Sequence, residues 1–400
     1  MHIGVIAPPE SFHTQKWVAG LCAAGADVTT FSFTPGQVPG VNAVQVMPRF
    51  THKGELTYLS YLTGGKRLKS ALEAHQVDIV NPLNVTPFGV WALQSGVRPL
   101  VNVAMGADIL EYPPERSMAI ADSRRWESQG ESSSRLQKLT GQAKWHGFRF
   151  WVNKALHASD LITGDNLQLV HAVRDWFGVP AERVKLNRWG IEPELFGSSI
   201  EVQAQLREML ELKPGQPLVL SPRGVKPVYQ ADIILEAFET LLKEGKTDAK
   251  LVVLSTGYQS APGLHEQASR LHKAYADFHY QTELIPREWM SQLWLMTDAF
   301  VNIPAYDGFS NALNEGRYAS AIPILNDIPA HREIAEEGSH ALYVKPLTSE
   351  KLAQKISEAL VALPELRPRI ATANRSWVET HAMFAHNMAH LVTRMENLLK

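Results

Sequence analysis

Short apolar runs alternate with helical patterns along the whole chain. The first run is Ile3 to Ala7, and an amphipathic pattern from about Thr14 to Ala24 follows it until Gly25. Apolar runs of this length are typical of buried strands, and glycine is a common helix stop. After Gly190 the alternation restarts with "PLVLSPRG". Two successive strand–helix series predict an α/β fold with two doubly wound, Rossmann-like parallel sheets.

The length of the chain agrees with two domains. Its 400 residues exceed what one ordinary core holds. We expect an N-terminal domain over residues 1–190, a C-terminal domain over 191–380, and a last helix over 381–400 that packs back toward the first domain. Ligands of open α/β sheets bind outside the carboxyl ends of the strands. We therefore expect the two domains to face a cleft that is lined by the loops after the strands.

One of these loops leads into a helix whose start is suited to an anion. Gly308 is followed by Phe309, Ser310 and Asn311, whose backbone N–H groups would lie in the first turn. A helix N-terminus carries about half a positive charge, so this one predicts a phosphate site. Alternatively, Ser310 is an ordinary N-cap.

Two acids flank the same helix start. Asp307 precedes it, and Glu315 lies about a turn and a half inside it. Carboxylates beside a phosphate would repel it unless they bind an uncharged group, such as a sugar hydroxyl. A nucleotide sugar supplies hydroxyls on both sides of a diphosphate. In the other interpretation, both acids are ordinary charges near a helix N-terminus.

The arrangement of Asp307-Gly308-Phe309 with Glu315 eight positions later resembles the E-x7-E region of retaining family 4 glycosyltransferases. Three further stretches resemble the same family: "IPILNDIPAHREIAEEG", "DLITGDNLQLVHAV" with "RWGIEPELF", and "HTQKWVAGLCAAGADVTTFS". The resemblance covers nearly the whole chain and is strongest over residues 298–345. It implies the GT-B fold and a retaining, metal-independent transfer of a sugar from a UDP- or GDP-linked donor to a hydroxyl, with no cofactor.

The resemblance also implies roles for particular residues. Glu315 would hold the ribose, Asp307 the donor sugar, and Arg223 and Lys226 the diphosphate together with the helix amides. The nucleobase would rest near Leu284 to Arg287. The predicted donor-binding set is therefore Gly308, Phe309, Ser310, Asn311, Glu315, Ile285 and Arg287. Two departures stand out, because Asp307 is shorter than the family's glutamate and Tyr229 occupies the lysine position, which leaves Lys226 as the nearest replacement.

The acceptor side departs from the family as well. Many relatives carry a histidine before the glycine that follows the "VNVA" strand, whereas this chain has Met105-Gly106-Ala107-Asp108. Asp108 then becomes the predicted polar contact to the acceptor or the sugar. Alternatively, Asp108 caps the following turn. His13 in the first loop is predicted to face the same site, near Met105.

Charge divides unevenly between the predicted domains. Residues 1–190 hold 19 Lys and Arg against 15 Asp and Glu, while the rest holds 20 against 26. The positive excess gathers in Arg116 to Lys154, among aromatic residues. Such a stretch can settle on an anionic membrane surface, which would suit a lipid-linked acceptor. It can equally be a solvated helix face on an enzyme whose acceptor is a glycan or a small molecule.

Several other classes of protein are poorly supported. The single cysteine, Cys22, allows no internal disulfide, and we expect a cytoplasmic protein without signal peptide or transmembrane helix, at most peripheral on the membrane. The sequence has no Asp-x-Asp, no Gly-x-Gly-x-x-Gly after a strand, no P-loop, no zinc spacing and no nucleic-acid motif. A nucleotide-sugar epimerase of similar fold and a non-catalytic nucleotide-sugar-binding subunit remain as alternatives.

Overall fold

A computed structural model describes residues 1–46, 51–52, 55–56, 58–114, 135–255 and 261–400, with the backbone alone for the described residues of 51–63 and 135–144. The first part of the predicted basic stretch, from Arg116 to position 134, lies outside the described residues. The chain forms two compact units. One contains the described residues of Met1–Asp122 and Gly130–Trp189 together with Phe384–Lys400, and the other contains Gly190–Met383.

The first unit is built on parallel strands. In chain order its strands are β1 His2–Ile6, β2 Asp27–Ser32, β3 Asn42–Gln45, β4 Thr51–His52, β5 Glu55–Leu56, β6 Ile79–Pro82, β7 Val101–Ala104, β8 Leu161–Gly164 and β9 Val184–Leu186. Two parallel sheets form, in the orders β3-β2-β1-β6 and β7-β8-β9. Single parallel bridges, Val80 with Leu100 and Leu83 with Val103, join them into one layer. β4 and β5 form a small antiparallel pair.

Helices cover this layer. They are α1 Phe12–Ala23, α2 Tyr58–Ala74, α3 Val90–Ser95, α4 Ala107–Leu110, α5 Arg135–Ala158 and α6 Leu167–Phe177, with α15 Phe384–Asn397 from the end of the chain. α15 lies against α1 at Gly20, where a Cβ atom would come within 2.6 Å of the Phe384 ring and 2.8 Å of Met388. The absence of a side chain at Gly20 therefore allows the two helices to approach closely, and Met388 is fully buried.

The second unit has one six-stranded parallel sheet. Its strands are β10 Leu218–Ser221, β11 Lys250–Leu254, β12 Phe278–Gln281, β13 Ala299–Asn302, β14 Ile322–Asn326 and β15 Leu342–Val344. Their order is β12-β11-β10-β13-β14-β15. Two separate apolar clusters contain alternate residues of the strands, such as Val219 in one and Leu220 in the other. Burial on both faces explains the nearly continuous apolar runs of the sequence.

The helices of the second unit are α7 Ile200–Met209, α8 Ala231–Lys243, α9 Pro262–Ala274, α10 Arg287–Met296, α11 Asn311–Tyr318, α12 Pro329–Ile334, α13 Ser349–Val361 and α14 Leu363–His381. These two units of parallel sheet and helix confirm the predicted α/β fold class. Among the helices that the structure describes, none has the length and apolar character that crossing a membrane requires.

The strand order of the second sheet reverses between β10 and β13, and the loops that follow these two strands are joined there. The Ala305 N–H donates to the Val228 carbonyl at 2.8 Å, and the Gln230 side chain donates to the Ile303 carbonyl at 2.7 Å. The Asn326 side chain, at the end of β14, donates to the Pro304 carbonyl at 2.6 Å. Such a reversal is where open α/β sheets bind ligands.

Candidate functional site

Arg223, in the loop after β10, is at the centre of the polar groups at this point. Its Nη1 lies 2.8 Å from Oδ2 of Asp307, and its Nη2 lies 3.3 Å from Oδ1 of the same carboxylate. Nη1 also donates to the Ser310 hydroxyl at 2.6 Å. Asp307 is only 8% exposed. Arg223, which is predicted to bind the diphosphate, and Asp307, which is predicted to bind the donor sugar, are therefore paired with each other in this structure.

The surroundings of Arg223 keep it charged. Burial by itself would lower the pKa of Arg223, but the charge of Asp307 and the interaction with Tyr229 outweigh burial and raise it. The guanidinium carbon lies 4.6 Å from the centre of the Tyr229 ring. Tyr229, which occupies the family's lysine position, thus forms a cation–π contact that holds the arginine in place.

The start of α11 has the predicted N-cap. Ser310 Oγ accepts from the Leu313 N–H at 3.3 Å, and the helix begins at Asn311. Ser310 therefore caps the helix and accepts from Arg223 at the same time. The Gly308 N–H donates to Oδ1 of Asp307 at 2.9 Å, while the Phe309 side chain is buried in the core. Ser310 can therefore be an N-cap, as the alternative interpretation has it, while Arg223 also lies at the start of the helix.

Glu315 lies in the middle of α11 and is half-buried. Its Oε2 accepts from the indole N–H of Trp294 on α10 at 3.1 Å. Burial lowers the pKa of Arg287, at the start of α10, and the charge of Glu315 opposes that effect. Arg287 also forms an ion pair with Glu192. Ile285 packs, partly buried, against the core of the second unit.

Lys226 lies in the same loop as Arg223. The backbone N–H of Lys226 donates to the Gly224 carbonyl at 3.2 Å, and its backbone carbonyl accepts from the Tyr229 N–H at 3.1 Å. Gly224 has φ +78°, a left-handed conformation that glycine adopts without strain. The turn places Lys226 beside Arg223 along the loop, with its side chain half-buried.

His331 and two asparagines form a buried network that the sequence reasoning did not single out. Nδ1 of His331 donates to the Asn326 carbonyl at 3.0 Å, and Nε2 accepts from the Asn302 side chain at 3.1 Å. Burial lowers the pKa of His331; the charge of Asp307 opposes this shift and that of Arg223 adds to it. A neutral histidine therefore joins the ends of β13 and β14, within electrostatic reach of Arg223 and Asp307. In the sequence, only the proline and asparagine pattern of "LNDIPAHRE" points to this network.

On the predicted acceptor side, Asp108 is buried in a turn. Its carboxylate accepts the N–H groups of Val85, Met105 and Gly106 at 2.8, 3.0 and 2.9 Å. Burial raises the pKa of Asp108 to about 6, against the lowering effect of these backbone donors. These contacts correspond to the turn-capping alternative, since they tie the loop after β7 to the loop after β6.

His13 and Met105 both border the apolar cluster that contains Trp189, but they differ in exposure. His13 is exposed in the first turn of α1, where its ring lies edge-on to Trp189 with 5.4 Å between the ring centres. Met105 packs, partly buried, against the apolar cluster that contains Trp17 and Trp189.

Within the basic aromatic stretch, side chains are described from Trp145 onward, in α5. Trp145 is buried and donates to the Glu111 carbonyl, and Arg149 donates to the carbonyls of Tyr112 and Trp176. Trp145 therefore belongs to the interior of the unit, and the half-buried Arg149 guanidinium is held by backbone carbonyls. Phe150 is 52% exposed, and the Lys154 ammonium lies 4.7 Å from the centre of its ring.

Within the described ranges, no group of three or more His, Cys, Asp or Glu side chains is placed to hold a metal ion.

Two family models match the sequence. "Glycosyl transferase 4-like" matches residues 2–130, and "Glycosyl transferases group 1" matches residues 218–361. A search of curated proteins finds no match.

Solved structures resemble the chain along its whole length. A glycosyltransferase from Rickettsia africae is 13% identical, with a TM-score of 0.73 over 100% of this chain and 98% of its own. Anabaena HepE in complex with UDP-glucose is 16% identical, with a TM-score of 0.72 over 99% and 100%. The sucrose-phosphate synthase of Thermosynechococcus elongatus is 13% identical, with a TM-score of 0.75 over 100% and 99%. At these identities the likeness concerns the fold.

Proposed function

This chain is a family 4 glycosyltransferase with the GT-B fold, and we propose that it transfers a sugar from a nucleotide-sugar donor to an acceptor hydroxyl with retention of configuration and without a metal ion. The observation that carries the proposal is the cluster of Arg223, Asp307 and Ser310 at the start of α11. We propose a UDP-linked donor ahead of a GDP-linked one, since HepE of the same fold was crystallised with UDP-glucose.

In this proposal the diphosphate lies at the start of α11. Arg223 donates to it with the N–H groups that point away from Asp307, because a guanidinium has five donors in a planar fork. Lys226 and the backbone N–H groups of Phe309 to Asn311 add positive charge and donors. Asp307 keeps Arg223 oriented, and its remaining lone pairs accept from a hydroxyl of the donor sugar.

The reaction proceeds on one face of the sugar. The bond between the anomeric carbon and the diphosphate oxygen breaks, and the acceptor oxygen forms its bond to that carbon from the same side. The leaving phosphate oxygen takes the acceptor's proton. Negative charge grows on the diphosphate as it leaves, so preorganised donors such as Arg223 stabilise the transition state more than the ground state.

The proposal is tested first by a thermal-shift screen of nucleotide sugars, followed by an assay of nucleoside diphosphate release. A ligand at 100 times its dissociation constant stabilises the folded state by about 2.7 kcal/mol. We expect one UDP- or GDP-linked sugar to stabilise the protein and to release its nucleotide when an acceptor is added. Conversion of the donor into another sugar without an acceptor would indicate the epimerase, and binding without turnover would indicate the binding subunit.

Excess EDTA is expected to leave the rate of transfer unchanged. In the proposed site, Arg223, Lys226 and the helix terminus neutralise the leaving diphosphate, which is the task of the metal ion in metal-dependent transferases. The initial rate is measured on dialysed enzyme with EDTA and again with added Mg²⁺ or Mn²⁺. A strict requirement for either ion would contradict the metal-independent mechanism.

We also propose that the exposed face of α5 brings the enzyme to a lipid-linked acceptor. Phe150 and Lys154 offer an aromatic ring and a positive charge side by side on this face. Near an anionic surface each Lys or Arg contributes about 1 kcal/mol, screened over roughly 10 Å at moderate salt. Arg149 is left unchanged in the test variant because its guanidinium donates to backbone carbonyls of the same unit, and replacing it would also perturb the fold.

Co-sedimentation with vesicles tests the membrane contact. We expect pelleting with anionic but not neutral vesicles, weakened at high salt and in a Phe150→Ser, Lys154→Gln double variant. Leu399→Ser removes an exposed apolar side chain, 46% exposed, elsewhere on the same unit and serves as the control. Equal pelleting of the parent on both vesicle types, or none, would favour a soluble acceptor.

A further inference from the structure

Trp294 is a buried hydrogen-bond donor that contacts Glu315, a residue proposed to bind the substrate. It is fully buried, and its indole N–H donates to Oε2 of Glu315 at 3.1 Å. We infer that Trp294 is a positioning residue: it fixes the Glu315 carboxylate for the donor ribose and so sets the preference for ribose over deoxyribose nucleotides. The inference rests on the proposed function, since it assumes that Glu315 binds the ribose.

The packing of Trp294 holds its N–H in one direction. Its ring lies edge-on to Phe300, with 5.1 Å between ring centres. On another side it lies against Gly316, where a Cβ atom would come within 2.8 Å of Trp294 Cζ3. Glycine next to Glu315 therefore allows the indole to approach α11. A ring confined by neighbouring side chains and by helix backbone cannot turn its donor elsewhere.

The bond to Trp294 leaves the carboxylate able to bind a diol. An ionised carboxylate has about four acceptor positions on its two oxygens, and an indole N–H occupies one of them. One indole N–H therefore does not by itself saturate the carboxylate, and the two neighbouring hydroxyls of a ribose need two acceptor positions. A glutamate side chain that is free to rotate must lose that freedom when it binds, whereas one held by an indole has already lost it.

The groups around Glu315 also favour a carboxylate that accepts from hydroxyls. The indole N–H stabilises the ionised carboxylate, and Arg287 adds a positive charge within electrostatic reach. An ionised carboxylate accepts from hydroxyls more strongly than a neutral one. Trp294 thus keeps Glu315 in the orientation that a ribose requires.

The experiment measures the dissociation constants of a ribonucleoside diphosphate and of its 2′-deoxy and 3′-deoxy forms by calorimetry on the full chain. The base is the one, uracil or guanine, whose diphosphate binds more tightly. The variants are Trp294→Phe, which removes the N–H and keeps an aromatic ring, and Glu315→Gln. Trp289→Phe is the matched control, because it makes the same substitution on the same helix α10.

We expect the parent and Trp289→Phe to prefer the ribose form over at least one deoxy form by about tenfold, the scale of one hydrogen bond to a charged group. In Glu315→Gln and Trp294→Phe this preference should fall to threefold or less. Binding of the ribose form should weaken more than binding of the deoxy form, whereas a purely structural role of Trp294 would weaken both forms alike.

The outcomes separate the inference from the proposed function. If Glu315→Gln abolishes the preference and Trp294→Phe retains it, Trp294 is only a core residue and the inference is overturned, while the ribose role of Glu315 stands. If the parent shows no preference, the ribose role of Glu315 fails and the inference with it. Should Trp294→Phe fail to fold, β-(3-benzothienyl)alanine at position 294 keeps the volume of the indole without its donor.

Discussion

Arg223→Ala is expected to lower kcat/KM at least 100-fold, about 2.7 kcal/mol of transition-state stabilisation. The change removes the donors to the leaving diphosphate. It also leaves Asp307, 8% exposed, without the guanidinium that pairs with it at 2.8 Å. An unpaired carboxylate beside the phosphates repels them, so the two effects act in the same direction. The measurement is steady-state kinetics with the donor identified by thermal shift.

The chain offers a matched control for this prediction. Arg270 forms a two-pronged pair with Glu239 at 2.9 and 3.0 Å, but on the surface of the second unit. Arg270→Ala is expected to change kcat/KM less than threefold, since exposed pairs contribute little and the proposed site does not include this pair. An Arg223→Ala protein that is folded and has kcat/KM within threefold of the parent would exclude the proposed clamp.

Gly316→Ala is expected to destabilise the second unit by about 1–3 kcal/mol through overpacking. A Cβ at this position would lie 2.7 Å from the Phe300 ring and 2.8 Å from Trp294, so the helix or the rings must move. For a unit of this size, each kcal/mol lowers Tm by about 2–4 °C. Because α11 carries Ser310 and Glu315, the same displacement should weaken nucleotide binding.

Gly263→Ala is the control for this second prediction. It also lies in a helix of the second unit, but its Cβ would meet nothing within 4 Å. Alanine in an open helical position is neutral or stabilises by about 0.5–1 kcal/mol, because glycine loses more chain entropy on folding. Differential scanning calorimetry compares the two variants. Equal Tm values would show that the contact at Gly316 relaxes without cost.

The sequence predicted the elements of the site better than their pairing. Ser310 as an N-cap and the helix through Glu315 follow from local pattern, and the structure has both. The pair of Arg223 with Asp307 could not be predicted, because the two residues are 84 positions apart. Only the reversal of strand order between β10 and β13 brings their loops together, and strand order is not encoded in local periodicity.

Long-range partners explain what else the sequence did not indicate. Asp108 was predicted to contact the acceptor or the sugar, with a turn cap as the alternative, and one of the donors to its carboxylate is the N–H of Val85, 23 positions earlier. Trp294 was not singled out from the sequence, and its partner Glu315 is 21 positions away. In both cases the side chain's role depends on which loop or helix lies opposite, and that is a tertiary property.

The most direct test of the central claim compares a nucleoside diphosphate with the corresponding monophosphate. Dissociation constants are measured by calorimetry for the parent and for Arg223→Met, which keeps much of the side chain's volume. If Arg223 and the start of α11 hold the second phosphate, the parent should bind the diphosphate at least tenfold more tightly, about 1.4 kcal/mol. Arg223→Met should lose most of that preference. An undiminished preference in the variant would contradict the placement of the diphosphate at Arg223.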